Sequence, residues 1–181
     1  IGIMKGCVTP GAVAKNWIFV YFSNLIGSIL LAYLIFHSGL AGELVGANAL
    51  KIASNKMALA FGPALFRGIL CNWLVVLAVW MSMAAEDVAS KIFSIFFPIM
   101  AFVASGFEHS IANMYFMTIG ILLRHNEALI AQAGLTDQAL NVLSLKGFMN
   151  NIIPVTLGNI VGGVLFVAVF YYLAYKDKLS D

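Results

Sequence analysis

The chain has 181 residues, 62% of them hydrophobic and 10% charged, with a mean hydropathy of +0.96; soluble domains average roughly 25% charge, so a water-soluble globule is excluded. Ten Lys and Arg against eight Asp and Glu leave a formal charge of +2, and the basic residues are scattered singly, which excludes a nucleic-acid partner. Cys7 and Cys71 show no CxxC spacing and no neighbouring His, so no metal site, no cofactor site and no disulfide framework is expected, and both read as buried apolar thiols. The chain opens at Ile1 inside an apolar run, without the basic n-region or cleavage site of a signal peptide, and reads as a fragment or a processed chain.

A helix crossing the hydrocarbon core needs about 20 mostly apolar residues. In chain order, the stretches free of Asp, Glu, Lys and Arg predict a first span over Asn16–Gly42 and a second over Gly68–Ala85, the latter long enough only if Arg67 and the residues before it reach the interface. Between Ile92 and Leu123 lie 32 residues that are apolar apart from Glu108 and His109 near their centre. As one helix they would run to about 48 Å against a hydrocarbon core of about 30 Å, and each half alone is too short to cross. The spacing therefore predicts one broken span: a half-helix from Ile92 to Ser105-Gly106, an irregular turn holding Glu108 and His109, and a half-helix from Ile111 to Leu123. Irregular backbone at that depth is tolerated only where protein buries it or where it lines a water-filled cavity. A last span over Gly147–Tyr175 ends in Tyr171, Tyr172 and Tyr175 followed by Lys176 and Lys178, an aromatic belt with a basic stop.

The intervening segments Ala41–Met57 and Asn126–Lys146 read as amphipathic helices at the surface or as solvated loops. The two sides of the membrane receive similar numbers of Lys and Arg, so charge sets no orientation.

An internal repeat is legible. Asn16, Ile18, Val20, Asn24, Ile26, Gly27 and Leu30 match Asn151, Ile153, Val155, Asn159, Val161, Gly162 and Leu165 at a constant offset. One intact span and one broken span lie between the copies, so the copies run in opposite directions, as in the inverted repeats of many transporters. Each full repeat then holds three spans, with residues 1–38 the remainder of the first and 62–178 the second, all within a single transmembrane domain, 1–181.

His109 is the residue near the bilayer centre able to change charge between pH 5 and 8. An intramembrane ionisable group usually faces a cavity, which favours a gate for a small solute over a buried His acting as interhelical glue. For Glu108 the balance reverses, since a carboxylate at a chain break more often accepts backbone N–H bonds. Asn72 and Asn113 either reach the imidazole or act as glue. Phe102 lies about two turns before His109 and either crosses the same lumen or faces lipid, and Lys56 either draws anions into a vestibule or snorkels. Asn24, Asn159, Gly27 and Gly162-Gly163 read as close helix packing. No GxSxG, HExxH or glycine-rich phosphate loop is present, so an enzyme is not expected.

The run Val103-Ala104-Ser105-Gly106-Phe107-Glu108-His109-Ser110-Ile111-Ala112-Asn113-Met114 resembles the signature of the formate/nitrite transporter family. Arg67–Val75, Lys15-Asn16-Trp17 and Ile153–Gly163 resemble it too, and the likeness covers essentially the whole chain. It implies an all-α integral membrane protein of aquaporin-like shape with an inverted 3+3 repeat, its first repeat incomplete here. It implies a homopentamer in the inner membrane of a prokaryote, each protomer with its own pore for formate, nitrite or hydrosulfide and both chain ends cytoplasmic. His109 would be the central pore histidine, Asn72 its support, Phe102 part of an apolar constriction and Lys56 the vestibule lysine, with Glu108 and Asn113 shaping the broken loop. The family's first span, first broken helix and the loop whose threonine faces the histidine have no counterpart in this sequence. Two other classes stay open: an aquaporin-like neutral-solute channel, whose NPA tripeptides are absent, and a non-transporting membrane assembly subunit.

Overall fold

The computed structural model describes residues 1–178, apart from the side chains of Glu43 and Lys178; the second lysine of the expected basic stop thus lies outside the described residues. Every regular element among them is helical: α1 (Pro10–His37), α2 (Glu43–Met57), α3 (Phe61–Ala84), α4 (Val88–Ala104), α5 (Ser110–Leu123), α6 (Glu127–Ala133), α7 (Asp137–Asn141), α8 (Leu145–Gly163), a π-helical turn over Val164–Val169 and α9 (Phe170–Tyr175). Among the described residues three helical runs are long and apolar enough to cross a membrane: Pro10–His37, Phe61–Ala84 and Leu145–Tyr175. The apolar run Ile92–Leu123 is interrupted as expected: α4 and α5 are separate apolar helices, each shorter than a span, with residues 105–109 between them.

The charge-free windows misplace the ends of the spans. α1 begins at Pro10 and carries Lys15 within it, and α3 begins at Phe61 and carries Arg67. Long basic side chains reach the interface from inside a helix, so a charge bounds the hydrocarbon core and not the helix. α1 stops at His37 because Ser38-Gly39 follows, with Gly39 at φ 79°, a conformation glycine adopts freely.

The chain folds as two compact units that interleave along the sequence. One comprises residues 1–14, 64–109 and 154–181, and the other 15–63 and 110–153. In the first, α3 and the C-terminal part of α8 lie backbone to backbone. A Cβ at Gly158 would run into the carbonyl oxygen of Leu65 and one at Gly162 into that of Ile69, while one at Gly68 would come within 2.8 Å of the Val155 carbonyl. Gly158 and Gly162 form a GxxxG pair, the spacing that lets membrane helices approach closely. Trp73 of α3 stacks on Phe166 of the π-helical turn with ring centroids 4.7 Å apart.

In the second unit the core is made by Leu50, Ala53 and Met57 of α2 against Met114, Met117, Ile119 and Leu123 of α5, joined by Leu143. The expectation that Ala41–Met57 lies at the surface is therefore corrected. Its periodic apolar face is the core of a unit, and a Cβ at Gly120 would overlap that of Ala53. Residues 126–146 form the short helices α6 and α7, whose N-caps Asn126 and Thr136 accept from the backbone N–H of Leu129 and Ala139. Cys71 is buried as expected, but Cys7 is exposed, because the residues around it form turns before α1 begins.

Asp87 caps α4. Its carboxylate accepts from the Ser90 hydroxyl at 2.6 Å and the Ser90 N–H at 2.9 Å, and those bonds, the hydroxyl's first, hold its pKa below the ordinary 3.8. A lowered carboxylate pKa contributes stability that is complete above about 3.8 and lost as pH falls through the folded-state value. In melting experiments from pH 6 down to pH 2.5, Asp87→Asn is expected to flatten the acid limb of the parent's profile. Superimposable acid limbs would show that the cap does not titrate with folding.

Candidate functional site

The site is built around the break. α4 ends in a Schellman motif: with Gly106 at φ 66°, its N–H donates to the Val103 carbonyl and the Phe107 N–H to the Phe102 carbonyl, both at 3.1 Å. This closes the exposed carbonyls of the half-helix. The chain then runs through Glu108 and His109 to Ser110, which opens α5, so His109 stands just before the N-terminal turn, where the helix dipole is positive and the first N–H groups lack intrahelical partners.

Both backbone groups of Glu108 are held by other segments of the first unit. Its N–H donates to the Arg67 carbonyl at 3.3 Å, and its carbonyl accepts from Asn159 Nδ2 at 2.9 Å. Asn159 Nδ2 also donates to the Gly68 carbonyl at 2.9 Å, so both amide hydrogens are engaged. The backbone carbonyl of Asn159 in turn accepts from Asn72 Nδ2 at 2.6 Å. One buried asparagine thus ties α3, α8 and the break together. It reaches because Gly68, Gly158 and Gly162 remove the side chains that would hold the helices apart.

The expected site residues fall as follows. His109 and Phe102 are both half-buried, with ring centroids 6.0 Å apart and planes tilted by 31°, so the structure brings these two together. Glu108 is buried, 3% exposed. The amide of Asn72 is directed to Asn159, which places it in the scaffold behind the break. Asn113 belongs to the second unit, where its Nδ2 donates to Asn151 Oδ1 at 2.9 Å, and Asn151 Nδ2 donates to the Lys56 carbonyl at 2.8 Å. Lys56 is half-buried near the end of α2. Among the described residues no cluster of His, Cys, Asp or Glu is fit to hold a metal ion.

Sequence reasoning placed Asn24, Gly27, Asn159 and Gly162-Gly163 in close packing, which holds for the α8 positions but not for α1, where a Cβ at Gly27 would meet nothing within 4 Å and Asn24 bonds the Val20 carbonyl of its own helix; it missed Gly158 and missed that Asn159 holds the break. The GxxxG spacing from Gly158 to Gly162 was the available signal for the first. For the second there was only the presence of a polar residue inside an apolar span.

The described residues are all-helical where regular, with three helices long and apolar enough to cross a membrane and a capped break carrying His109, and the comparisons with known proteins define the class. The model of the formate/nitrite transporter family matches residues 1–173. The formate channel FocA of Escherichia coli (strain K12) is 41% identical over 177 residues, covering 94% of this chain and 62% of that protein. A probable formate transporter of Methanothermobacter thermautotrophicus is 39% identical, covering 98% of this chain and 65% of that protein. A solved pentameric formate channel with formate bound superposes with a TM-score of 0.82 at 39% identity over 91% of this chain and 67% of that chain. An FNT family ion channel gives a TM-score of 0.81 at 30% identity over 96% of this chain and 64% of that one. The chain belongs to the formate/nitrite transporter family, and it spans a little under two thirds of the length of these curated relatives.

Asn159→Leu removes two buried interhelical hydrogen bonds, together worth about 1–3 kcal/mol. Thermal melts of the purified protein are expected to show a loss in that range. A loss no larger than the ~0.6 kcal/mol average of a membrane interhelical hydrogen bond would mean that the break is held by something else.

Proposed function

We propose that this chain is part of a channel for small monovalent anions of weak acids, formate first, with nitrite and hydrosulfide as further substrates of the same charge and size. The observation that carries the reading is the half-buried imidazole of His109 at a capped break in a membrane helix, 6.0 Å from the Phe102 ring, in a chain whose relatives include formate channels.

Moving an anion through a low-dielectric segment is costly unless it is paired or neutralised. Formate, nitrite and hydrosulfide are conjugate bases of weak acids, so a proton or a strong hydrogen bond supplied midway lowers that cost. In this reading Lys56 raises the anion concentration in a vestibule. Phe102 forms part of an apolar constriction that hydrated ions do not pass. His109 meets the dehydrated anion and donates, with the positive end of α5 adding to the attraction. Asn72, Asn113 and Glu108 keep the loop in shape around the imidazole.

The same reading takes residues 1–38 as the remainder of a first repeat and 62–178 as a second repeat. It makes the working assembly a homopentamer that crosses the inner membrane of a prokaryote several times, as the pentameric relative supports.

The test is uptake into proteoliposomes. The parent is expected to take up formate in preference to glycerol, with a rate that changes roughly tenfold between pH 5 and pH 8, the range over which one imidazole titrates. His109→Asn and His109→Ala are expected to flatten that profile. Parallel pH profiles in parent and variants would reject the role of His109, and glycerol uptake without formate uptake would reject the substrate class.

A further inference from the structure

The last span changes register partway along. Gly158 lies against Leu65 and Ile69 of the α3 backbone and Gly162 against Ile69 and Trp73, while Phe166 stacks on Trp73 with ring centroids 4.7 Å apart. The stripe that faces α3 thus advances four residues at a time, the repeat of an α-helix. The next ring to meet α3 is Tyr171, five residues on, 4.8 Å from Trp80. At about 100° per residue, a plain α-helix would turn Tyr171 off that stripe and bring Phe170 onto it. The π-helical turn Val164–Val169 absorbs the surplus residue. Its i→i+5 hydrogen bonding is rare, is used in single turns and is frequent at functional sites.

A run of three aromatic residues follows. Tyr171 packs against Trp80, the Tyr172 hydroxyl donates to the Met4 carbonyl, and Phe170 is 52% exposed. If the π turn closed to an α turn, Phe170 would take the place of Tyr171 beside Trp80, and Tyr171 that of Tyr172 beside Met4. Both contacts survive this exchange, because a ring replaces a ring and a tyrosine hydroxyl replaces a tyrosine hydroxyl. The α register gives up the Tyr171–Tyr175 stack, with centroids 6.1 Å apart, since the residue one turn after Phe170 is Ala174; it regains the regular hydrogen-bond ladder. The bond to be exchanged is weak, 3.4 Å long against about 2.7–2.8 Å for a good O–H···O bond. The part of the helix before the turn is held fast. A Cβ at Gly163 would come within 2.9 Å of Asn72 Nδ2, and that amide is bound to the Asn159 carbonyl.

We propose that Val164–Val169 is a two-state joint, closing from the π register to an α register in which Phe170 faces Trp80 and Tyr171 faces Met4. α9 and the Met4 segment then shift by one residue against α3, while the Asn159 clamp and the break stay in place. A switch of this kind needs two packings of nearly equal energy, and Phe170-Tyr171-Tyr172 supplies like partners for both.

The test reads Trp80 and needs no flux, so failure of the formate reading leaves it standing. The intact protein, labelled with 5-fluorotryptophan in lipid nanodiscs, is followed by fluorine NMR, with Trp80→Phe assigning the signal. In the parent Trp80 is expected to exchange between two environments, the lesser populated at about 0.1–10%. Deleting Ala168 places Tyr171 one α-turn after Phe166 and is expected to abolish the exchange while keeping the major signal. Phe170→Leu alters a side chain that is exposed in the π register, and is expected to lower the minor population roughly threefold to tenfold by removing the ring that would replace Tyr171. A single Trp80 signal without exchange in the parent, or exchange that both variants leave unchanged, would overturn the proposal. Where the deletion yields no folded protein, Phe170→Leu decides alone: loss of the minor environment supports the joint, and unchanged exchange overturns it.

Discussion

A helix broken at membrane depth exposes backbone groups where no water can reach them, and each left unsatisfied costs several kcal/mol. The rest of this structure is organised around that constraint. The C-terminal end of α4, on the N-terminal side of the break, is closed within the chain by Gly106, whose positive φ lets two N–H groups turn back onto α4. The Glu108 backbone is tied to distant segments, its N–H to the Arg67 carbonyl and its carbonyl to the Asn159 amide. For an amide as short as that of Asn159 to reach both the break and α3, the two helices must nearly touch, and Gly68, Gly158 and Gly162 supply that proximity. Glycine weakens a helix interior by up to about 1 kcal/mol relative to alanine. The hydrogen bonds it permits here satisfy buried carbonyls, whose loss would cost at least as much.

α8 carries its two buried asparagines about two turns apart, and they serve different units. Asn159 holds the break in the first; Asn151 connects Asn113 of α5 with the end of α2 in the second. In both cases the asparagine binds backbone, or a second asparagine bound to the segment next to the break. The apolar residues between them supply burial, which has no direction; the amides supply the direction.

Much of this was legible before any coordinates. The length of Ile92–Leu123 against the bilayer thickness, with Glu108 and His109 near its middle, located the break and the second half-helix to within a residue or two, while α4 starts four residues earlier, at Val88. The repeat pointed to the Asn and Gly positions that turned out to be packed on α8. What the sequence could not yield were partners. That Asn72 serves Asn159, and that α2 buries Leu50 and Ala53 against α5, depend on how helices distant in sequence meet. The ends of α1 and α3 were misjudged because Lys15 and Arg67 were read as boundaries, whereas a flexible charged side chain lies inside the helix and reaches outward. Cys7 was misread for a simpler reason: hydrophobic neighbours in sequence do not bury a thiol that precedes the first helix.

The chemistry of the scaffold also bears on the chemistry of the pore. The Glu108 backbone bonds to a backbone carbonyl and to an asparagine amide, neither of which changes charge between pH 5 and 8. Had a histidine held the Glu108 carbonyl in place of Asn159, that contact would itself change with pH over this range, and a change in flux could not be traced to His109 alone. In the proposed reading this clamp stays neutral whatever the charge on His109. A proton exchanged with a passing anion would then act without breaking the bonds to the Glu108 backbone. A neutral clamp beside the proposed pore histidine suits the proposed passage of weak acids, whose permeant form itself depends on a proton.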